Sequence, residues 1–269
     1  MVTVQSRTPT VTAMGAATVH DVSGGRCVVG IGSGSGRGAA GLASSGDDSP
    51  GPLAVVEEYA RVVKSALAGD RVESELFGVR GFHLGLDFGE RPRPGVWLAA
   101  LGERMVSLAG RLADGVLLNW CTPERVAAAR RTLAEAAERA GRDPAEVTVA
   151  VYARGALEVD EAAALAGLRA MTGMYASFPA YGRQFAAMGY ANEAAAAAAA
   201  HRDGRPGDVP DALVRALTVT GGRAEAVARF RAFHEAGADL VLWYPVAAGD
   251  DPLGSVRATV LAAAPAPAG

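Results

Sequence analysis

The sequence predicts an α/β protein in which parallel strands alternate with helices. Short runs such as Cys27-Val28-Val29-Gly30-Ile31 are apolar without alternation, the pattern of a parallel strand covered on both faces. A stretch with apolar residues at helical spacing follows each run, and this order repeats roughly six times. The exit Gly32-Ser33-Gly34 leaves the backbone bare, so a ligand could approach main-chain N–H groups closely. The loop after such a strand is where function sits on α/β folds. No pair of halves and no linker is visible, so a single domain over 1–269 is expected.

Composition narrows the function classes. The chain has 269 residues, 50% of them hydrophobic, and a net charge of -3, which favours a substantial core and argues against nucleic acid or an anionic membrane surface. Cys27 and Cys121 sit in apolar strand patterns and read as small buried hydrophobes rather than a disulfide or metal site. His20, His83, His201 and His234 are scattered, with no pair at ligand spacing, so no metal is expected. No G-x-S-x-G elbow occurs, which gives no support to hydrolase chemistry. No apolar run approaches a membrane span and the start carries no cleavage signal, so the expected location is the cytoplasm.

In chain order, Val2 to Gln5 is a strand-like tetrad, and Pro9 opens a helix through Val22 with Val11, Met14, Ala17 and Val19 as its apolar stripe. Gly24 and Gly25 suit its left-handed end. A small, polar loop from Ser35 to Gly51, with Asp47 and Asp48, precedes a helix from Pro52 through Leu67. Arg71 to Leu86 reads as a short hairpin. A strand from Val96 to Ala100, a helix from Glu103 to Leu112, the turn Ala113-Asp114-Gly115 and a strand from Val116 to Trp120 come next. Thr122 caps a helix with Pro123 at its first position, which runs to about Ala140 and closes at Gly141. Val147 to Ala153 is a strand and Asp160 to Met174 a helix. The region 175–207 is less regular and reads as a helical insertion with an alanine run from Glu193 to His201. Asp211 to Leu217 is a short helix, and Thr218 to Gly222 a turn that caps the next one. Arg223 to Ala236 is amphipathic through Val227, Phe230 and Phe233. Asp239 to Pro245 is the last strand, and a helix from Pro252 to about Ala263 precedes an Ala/Pro tail. The strands are expected to lie side by side in chain order.

An ordered set of motifs resembles the luciferase-like monooxygenase superfamily, nearest to the deazaflavin-dependent branch that includes methylenetetrahydromethanopterin reductase. The carrying residues are Arg7-Thr8-Pro9, Ala17-Thr18, Ser23-Gly24-Gly25-Arg26 and Gly30-Ile31-Gly32. They continue with Leu101-Gly102, Leu108-Ala109-Gly110, Ala113-Asp114-Gly115, Ala140-Gly141-Arg142-Asp143, Val219-Thr220-Gly221 and Ala236-Gly237-Ala238-Asp239. The resemblance implies a (β/α)8 TIM barrel that holds coenzyme F420, or alternatively the flavin FMN, at the strand C-termini. By this alignment Val2 to Gln5 corresponds to the third barrel strand, so the first two βα units are expected to be missing. The family's acidic and histidine residues near the reactive ring come largely from the second strand's end and have no counterpart here, which leaves the catalytic residues unassigned.

Strand direction separates the candidate site from the opposite rim. The residues just after strands are Val4, Gln5 and Ser6; Gly32, Ser33 and Gly34; Ala100, Leu101 and Gly102; and Asn119, Trp120 and Cys121. These are the expected cofactor-binding residues. Leu101-Gly102 and Thr122-Pro123 open helices whose free N–H groups suit a phosphate, Asn119 suits a heteroaromatic ring edge, and Trp120 could stack beside it. Ser23 to Arg26 and Asp114-Gly115 precede strands and should be structural. The expected function is hydride transfer between F420 and a small organic substrate. The alternatives are an FMN-dependent monooxygenase and a truncated paralogue serving as a binding or partner subunit. The open edges of the first and last strands suggest a homo-oligomer.

Overall fold

The computed structural model describes residues 1–34, 50–86, 88–89 and 91–264. Nearly all of the expected Gly/Ser loop, with Asp47 and Asp48, and the tail from 265 lie outside the described residues. The chain divides into two compact units, Met1–Leu117 with Arg131–Thr148, and Leu118–Arg130 with Val149–Gly269. Among the described residues no helix is long and apolar enough to cross a membrane.

The first unit opens with β1 (Val2–Thr3), α1 (Pro9–Val22), β2 (Val28–Gly32) and α2 (Pro52–Ala68). The hairpin strands β3 (Val72–Ser74) and β4 (Val79–Phe82) follow, then β5 (Gly95–Ala100), α3 (Glu103–Leu112) and β6 (Gly115–Leu118). The chain continues into α4 (Pro123–Arg139). β1, β2 and β5 pair in parallel with β6 beyond β5, in chain order, while the hairpin forms a separate antiparallel pair. β1 is shorter than the expected tetrad, because the chain turns at once: the Ser6 amide donates to Thr3 O.

α1 starts as expected, with the Thr8 hydroxyl accepting from the Val11 amide and Pro9 in the first turn. Its buried face matches the expected stripe only at Ala17. Thr12, Ala13, Ala16, Ala17 and His20 are buried, whereas Val11, Met14 and Val19 are exposed. Small residues win this face because α2 lies close along it, and Tyr59 of α2 reaches over to donate to Arg7 O and Thr8 O. His20 is fixed by a 2.6 Å hydrogen bond between Nε2 and Pro92 O and by an edge contact with Phe88. Gly24 and Gly25 take φ of +66° and +90°, as the helix end required. Cys27 is only partly covered, against the expectation of a buried thiol; it lies ahead of the strand, whose first residue Val28 is itself exposed, so the expected covering of this run holds only further along.

Two glycines set the spacing of this unit. A Cβ on Gly110 of α3 would lie 2.5 Å from Leu133 O of α4, and one on Gly115 would lie 2.7 Å from the Trp97 indole. Between them Asp114 brackets two strands. Its amide donates to Val96 O at 2.8 Å, its Oδ2 accepts from the Val96 amide at 2.9 Å, and its Oδ1 pairs with Lys64 of α2 at 2.5 Å. Asp114 is therefore structural, as its place before a strand predicts.

The second unit contains β7 (Thr148–Leu157), α5 (Glu161–Ala176), α6 (Pro179–Ala187), α7 (Ala191–Arg202) and α8 (Asp211–Leu217). It ends with β8 (Thr218–Gly221), α9 (Arg223–Glu235), β9 (Leu240–Pro245) and α10 (Pro252–Ala263). The less regular stretch is thus two helices. The alanine run of α7 packs on α5, where a Cβ on Gly173 would sit 3.2 Å from Ala197 O, so small side chains here allow close backbones. Thr218 to Gly221 is a parallel strand beside β7 rather than a turn; three residues before Gly-Gly are too few for periodicity to reveal. The expected capping function survives, with the Glu225 carboxylate accepting from the Gly222 amide. Arg154 pairs in register with both Thr218 and Tyr244, so β8 and β9 flank β7 on opposite sides. β9 therefore departs from chain order. Of the expected face of α9, Phe233 is buried and Val227 is exposed, with Ala226 buried in its place.

Asp239 repeats the bracket of Asp114. Its amide donates to Val149 O at 2.8 Å, its Oδ2 accepts from the Val149 amide at 2.7 Å, and Arg130 of α4 holds the same oxygen at 2.5 Å. Asp114→Ala and Asp239→Ala should each destabilise by about 1–2 kcal/mol in urea unfolding, the pairs being half-exposed and discounted for solvent, while Asn at either position keeps the acceptor and costs less. Gly110→Ala should also destabilise, by about 1–3 kcal/mol, although alanine is the better helix former; a midpoint equal to the wild type would remove the close approach as its reason.

Candidate functional site

In the first unit, the structure brings together Gln5, Ser33 and Gly34. The Gln5 Nε2 donates to Ser33 O at 2.6 Å, and a Cβ on Gly34 (φ +77°) would lie 2.7 Å from Gln5 Oε1. Val4 is buried, and its amide bonds Gly32 O as an extension of the β1–β2 ladder. Ser6 closes the turn after β1 through its hydroxyl to Thr3 O. Gly32 faces Ala99 and the Met1 side chain. Ala100 is buried, and Leu101 leads to Gly102, which caps α3 without a side-chain hydrogen bond and has nothing within 4 Å of its Cβ position. Glu103 places a carboxylate in that first turn, where it complements the dipole itself. A cavity of about 310 Å³ in this unit lies by the hairpin, at Leu67, His83, Phe88 and Arg93, and includes none of the candidates.

In the second unit the candidates Asn119, Trp120 and Cys121 form the turn between β6 and α4. Trp120 takes φ +54°, a left-handed conformation costly for an aromatic residue. The Gln184 side chain of α6 holds this turn, its Nε2 donating to both Asn119 O and Trp120 O at 2.7 Å. The expected strand therefore stops at Leu118. The Trp120 indole lies in the core with its ring centroid 4.9 Å from that of Tyr175, so this turn presents its backbone and Asn119, not a stacking ring. Asn119 Nδ2 donates to the Tyr181 hydroxyl at 2.8 Å, while its Oδ1 is buried without a partner among the described residues. Burial, and then the neighbouring Tyr175, push the Tyr181 hydroxyl above the usual tyrosine range.

Thr122 starts α4 as expected, with its Oγ1 accepting from the Arg125 amide and hydrogen-bonding the Glu124 carboxyl, so this helix start satisfies itself. A cleft of about 600 Å³ in the same unit is lined by Thr122, Glu124, Thr218, Thr220, Glu225 and Arg229. Arg229 spans its floor, donating to Ala216 O and Thr218 O.

A family model described as luciferase-like monooxygenase matches residues 1–240. The chain belongs to the luciferase-like monooxygenase family. It is 32% identical over 161 residues to the 5,10-methylenetetrahydromethanopterin reductase of Methanolobus tindarius, a match covering 59% of this chain and 48% of that one. Phthiodiolone/phenolphthiodiolone dimycocerosates ketoreductase of Mycobacterium sp. (strain JLS) is 33% identical over 150 residues, covering 54% and 39%. The chain thus spans about half the length of the curated relatives it matches. Among solved structures, the coenzyme F420-dependent tetrahydromethanopterin reductase of Methanopyrus kandleri superposes with a TM-score of 0.71 at 22% identity, over 97% of this chain and 79% of that one. A monooxygenase of Streptomyces bottropensis gives 0.61 at 23% identity, over 97% and 74%. These likenesses show the α/β fold that the family shares.

Sequence reading missed Gln184, Tyr181, Tyr175 and Arg154, the groups that surround the Asn119–Cys121 turn. Arg154 lies past the expected strand end at Ala153, because β7 runs on to Leu157, and the others lie in the stretch from 175 that read as less regular, where only the aromatic spacing of Tyr175, Phe178, Tyr181 and Phe185 is a signal.

Burial pushes the Cys121 thiol up to about 12, so almost none is thiolate at pH 8. In the folded protein a thiol reagent should therefore label Cys27 and spare Cys121, with both labelled in denaturant. Fast native labelling of Cys121 would show the turn to be open.

Proposed function

We propose that this chain is an F420-binding oxidoreductase of the luciferase-like family that transfers a hydride between the deazaflavin and an organic substrate. Family membership, a relative named 5,10-methylenetetrahydromethanopterin reductase and solved structures of the same fold described as F420-dependent support the reading. The residues at the Asn119 turn fit such a group: a buried carbonyl oxygen without a partner matches an N–H on a heteroaromatic ring edge. The cofactor would supply the two-electron chemistry when bound, and the protein supplies binding, orientation and electrostatics. Asn119 would accept from the ring edge through Oδ1 while Tyr181 holds its amide in orientation. Gln184 keeps the turn in its strained shape, so Asn119 is presented without reorganisation on binding.

The second reading is an FMN-dependent monooxygenase, favoured by solved monooxygenases of the same fold. Fluorescence titration separates the two. Saturable F420 binding with FMN at least tenfold weaker is the expected result. Asn119→Ala should weaken F420 binding by about tenfold, the value of one buried hydrogen bond, without lowering the melting temperature by more than a few degrees. Saturable binding of FMN alone would favour the monooxygenase, and binding of neither would favour a non-catalytic partner subunit.

A further inference from the structure

Among the described residues, Arg154 of β7 is a buried cation without a counter-ion. It is 3% exposed, and its Nε and Nη1 donors have no partner among those residues. Aromatic rings enclose the guanidinium instead: its central carbon lies 4.5 Å from the Trp120 ring centroid, 4.8 Å from Tyr244, 5.4 Å from Tyr152 and 5.5 Å from Tyr175. Tyr175 also hydrogen-bonds it, and no carboxylate is among the groups that act on its charge. Cation–π attraction offsets part of the desolvation of a guanidinium but satisfies none of its in-plane N–H groups. The same unit holds further unmet polar atoms around this box, Trp120 Nε1, Asn119 Oδ1 and Gln184 Oε1. Trp120 is both a wall of the box and the left-handed residue of the Asn119 turn. Tyr244 is 40% exposed and forms the wall nearest solvent.

Buried guanidinium donors are normally matched by oxygen acceptors, and a cation left unmatched in the ligand-free chain is a cost to folding. Folded proteins retain such costs where function needs them. We propose that Arg154 is the oxyanion-recognising residue of the second unit, taking a phosphate or carboxylate oxygen of the bound ligand on its free N–H donors. The oxyanion belongs either to the acidic tail of the cofactor or to an acidic substrate. The inference rests on the chain being a ligand-binding member of its family, though not on which cofactor it takes.

The test uses the whole chain and the fluorescence of its tryptophans, Trp120 being in contact with the guanidinium. Inorganic phosphate is titrated first, then F420, then the deazaflavin chromophore without its phosphorylated tail. Each is run on the wild type, Arg154→Met and Arg154→Lys. The expected result is saturable phosphate binding that Arg154→Met weakens at least tenfold and Arg154→Lys several-fold. Ligand-free Arg154→Met should melt at or above the wild type, because it removes an uncompensated buried charge. A tenfold loss for F420 with no loss for the truncated chromophore assigns the oxyanion to the cofactor. Unchanged F420 affinity alongside lost phosphate binding assigns it to the substrate. A wild type that responds to phosphate but not to F420 would overturn the proposed function and leave this inference standing. The inference is overturned if Arg154→Met changes affinity for neither phosphate nor F420, or if the wild type responds to neither. A sharply lower melting temperature for both variants with unchanged affinities would make Arg154 purely structural.

Discussion

The aspartate bracket is the interaction on which the strand arrangement depends. A parallel strand has no tight turn to fix its register, so its start must be pinned by something else. Asp114 and Asp239 do this in the same way, each in its own unit. The backbone and carboxylate of each exchange two hydrogen bonds with the first residues of the neighbouring strand, and a cation on a covering helix neutralises the charge. The sequence around each is nearly the same, Ala113-Asp114 and Ala238-Asp239. Their place at strand starts puts these carboxylates at the end opposite the strand exits.

At the exits the chemistry inverts. Where the strand starts are bracketed by hydrogen bonds, the turn after β6 holds a left-handed tryptophan and two buried polar atoms without partners among the described residues, Asn119 Oδ1 and Trp120 Nε1. Gln184 maintains this arrangement by spending both amide hydrogens on two successive carbonyls. Such local cost persists only where surrounding packing over-determines it. The cluster of Phe185, Leu168, Leu213 and the alanines of α7 provides that packing.

Much of the candidate site was legible from strand direction alone, since residues after strands point to a different end from residues before them. Strand direction placed Asn119 and Cys121 at the exit of β6, where the structure has them. What the sequence could not indicate was that Trp120 would turn inward. Its ring is held by Arg154, Tyr175 and Phe185, residues separated from it by 34 or more positions along the chain. The α1 face was misjudged for a related reason. Hydropathy favours Val11, Met14 and Val19 beside Ala17, yet the close approach of α2 selects Ala13 and Ala16 beside Ala17, because contact between helix axes depends on size as well as polarity.

The amino-acid sequence by itself determined the α/β class, the limits of nearly every helix and the family. These follow from local signals: Pro and Thr at helix starts, Gly beyond helix ends, and uninterrupted apolar runs in strands. Only the tertiary structure decided that Thr218 to Gly221 pairs as a strand, that β9 lies beside β7, and that a guanidinium is enclosed by four aromatic rings. Each of these joins residues distant in the chain through hydrogen bonds or ring contacts, and no local periodicity encodes which distant partner a strand or a buried charge will meet.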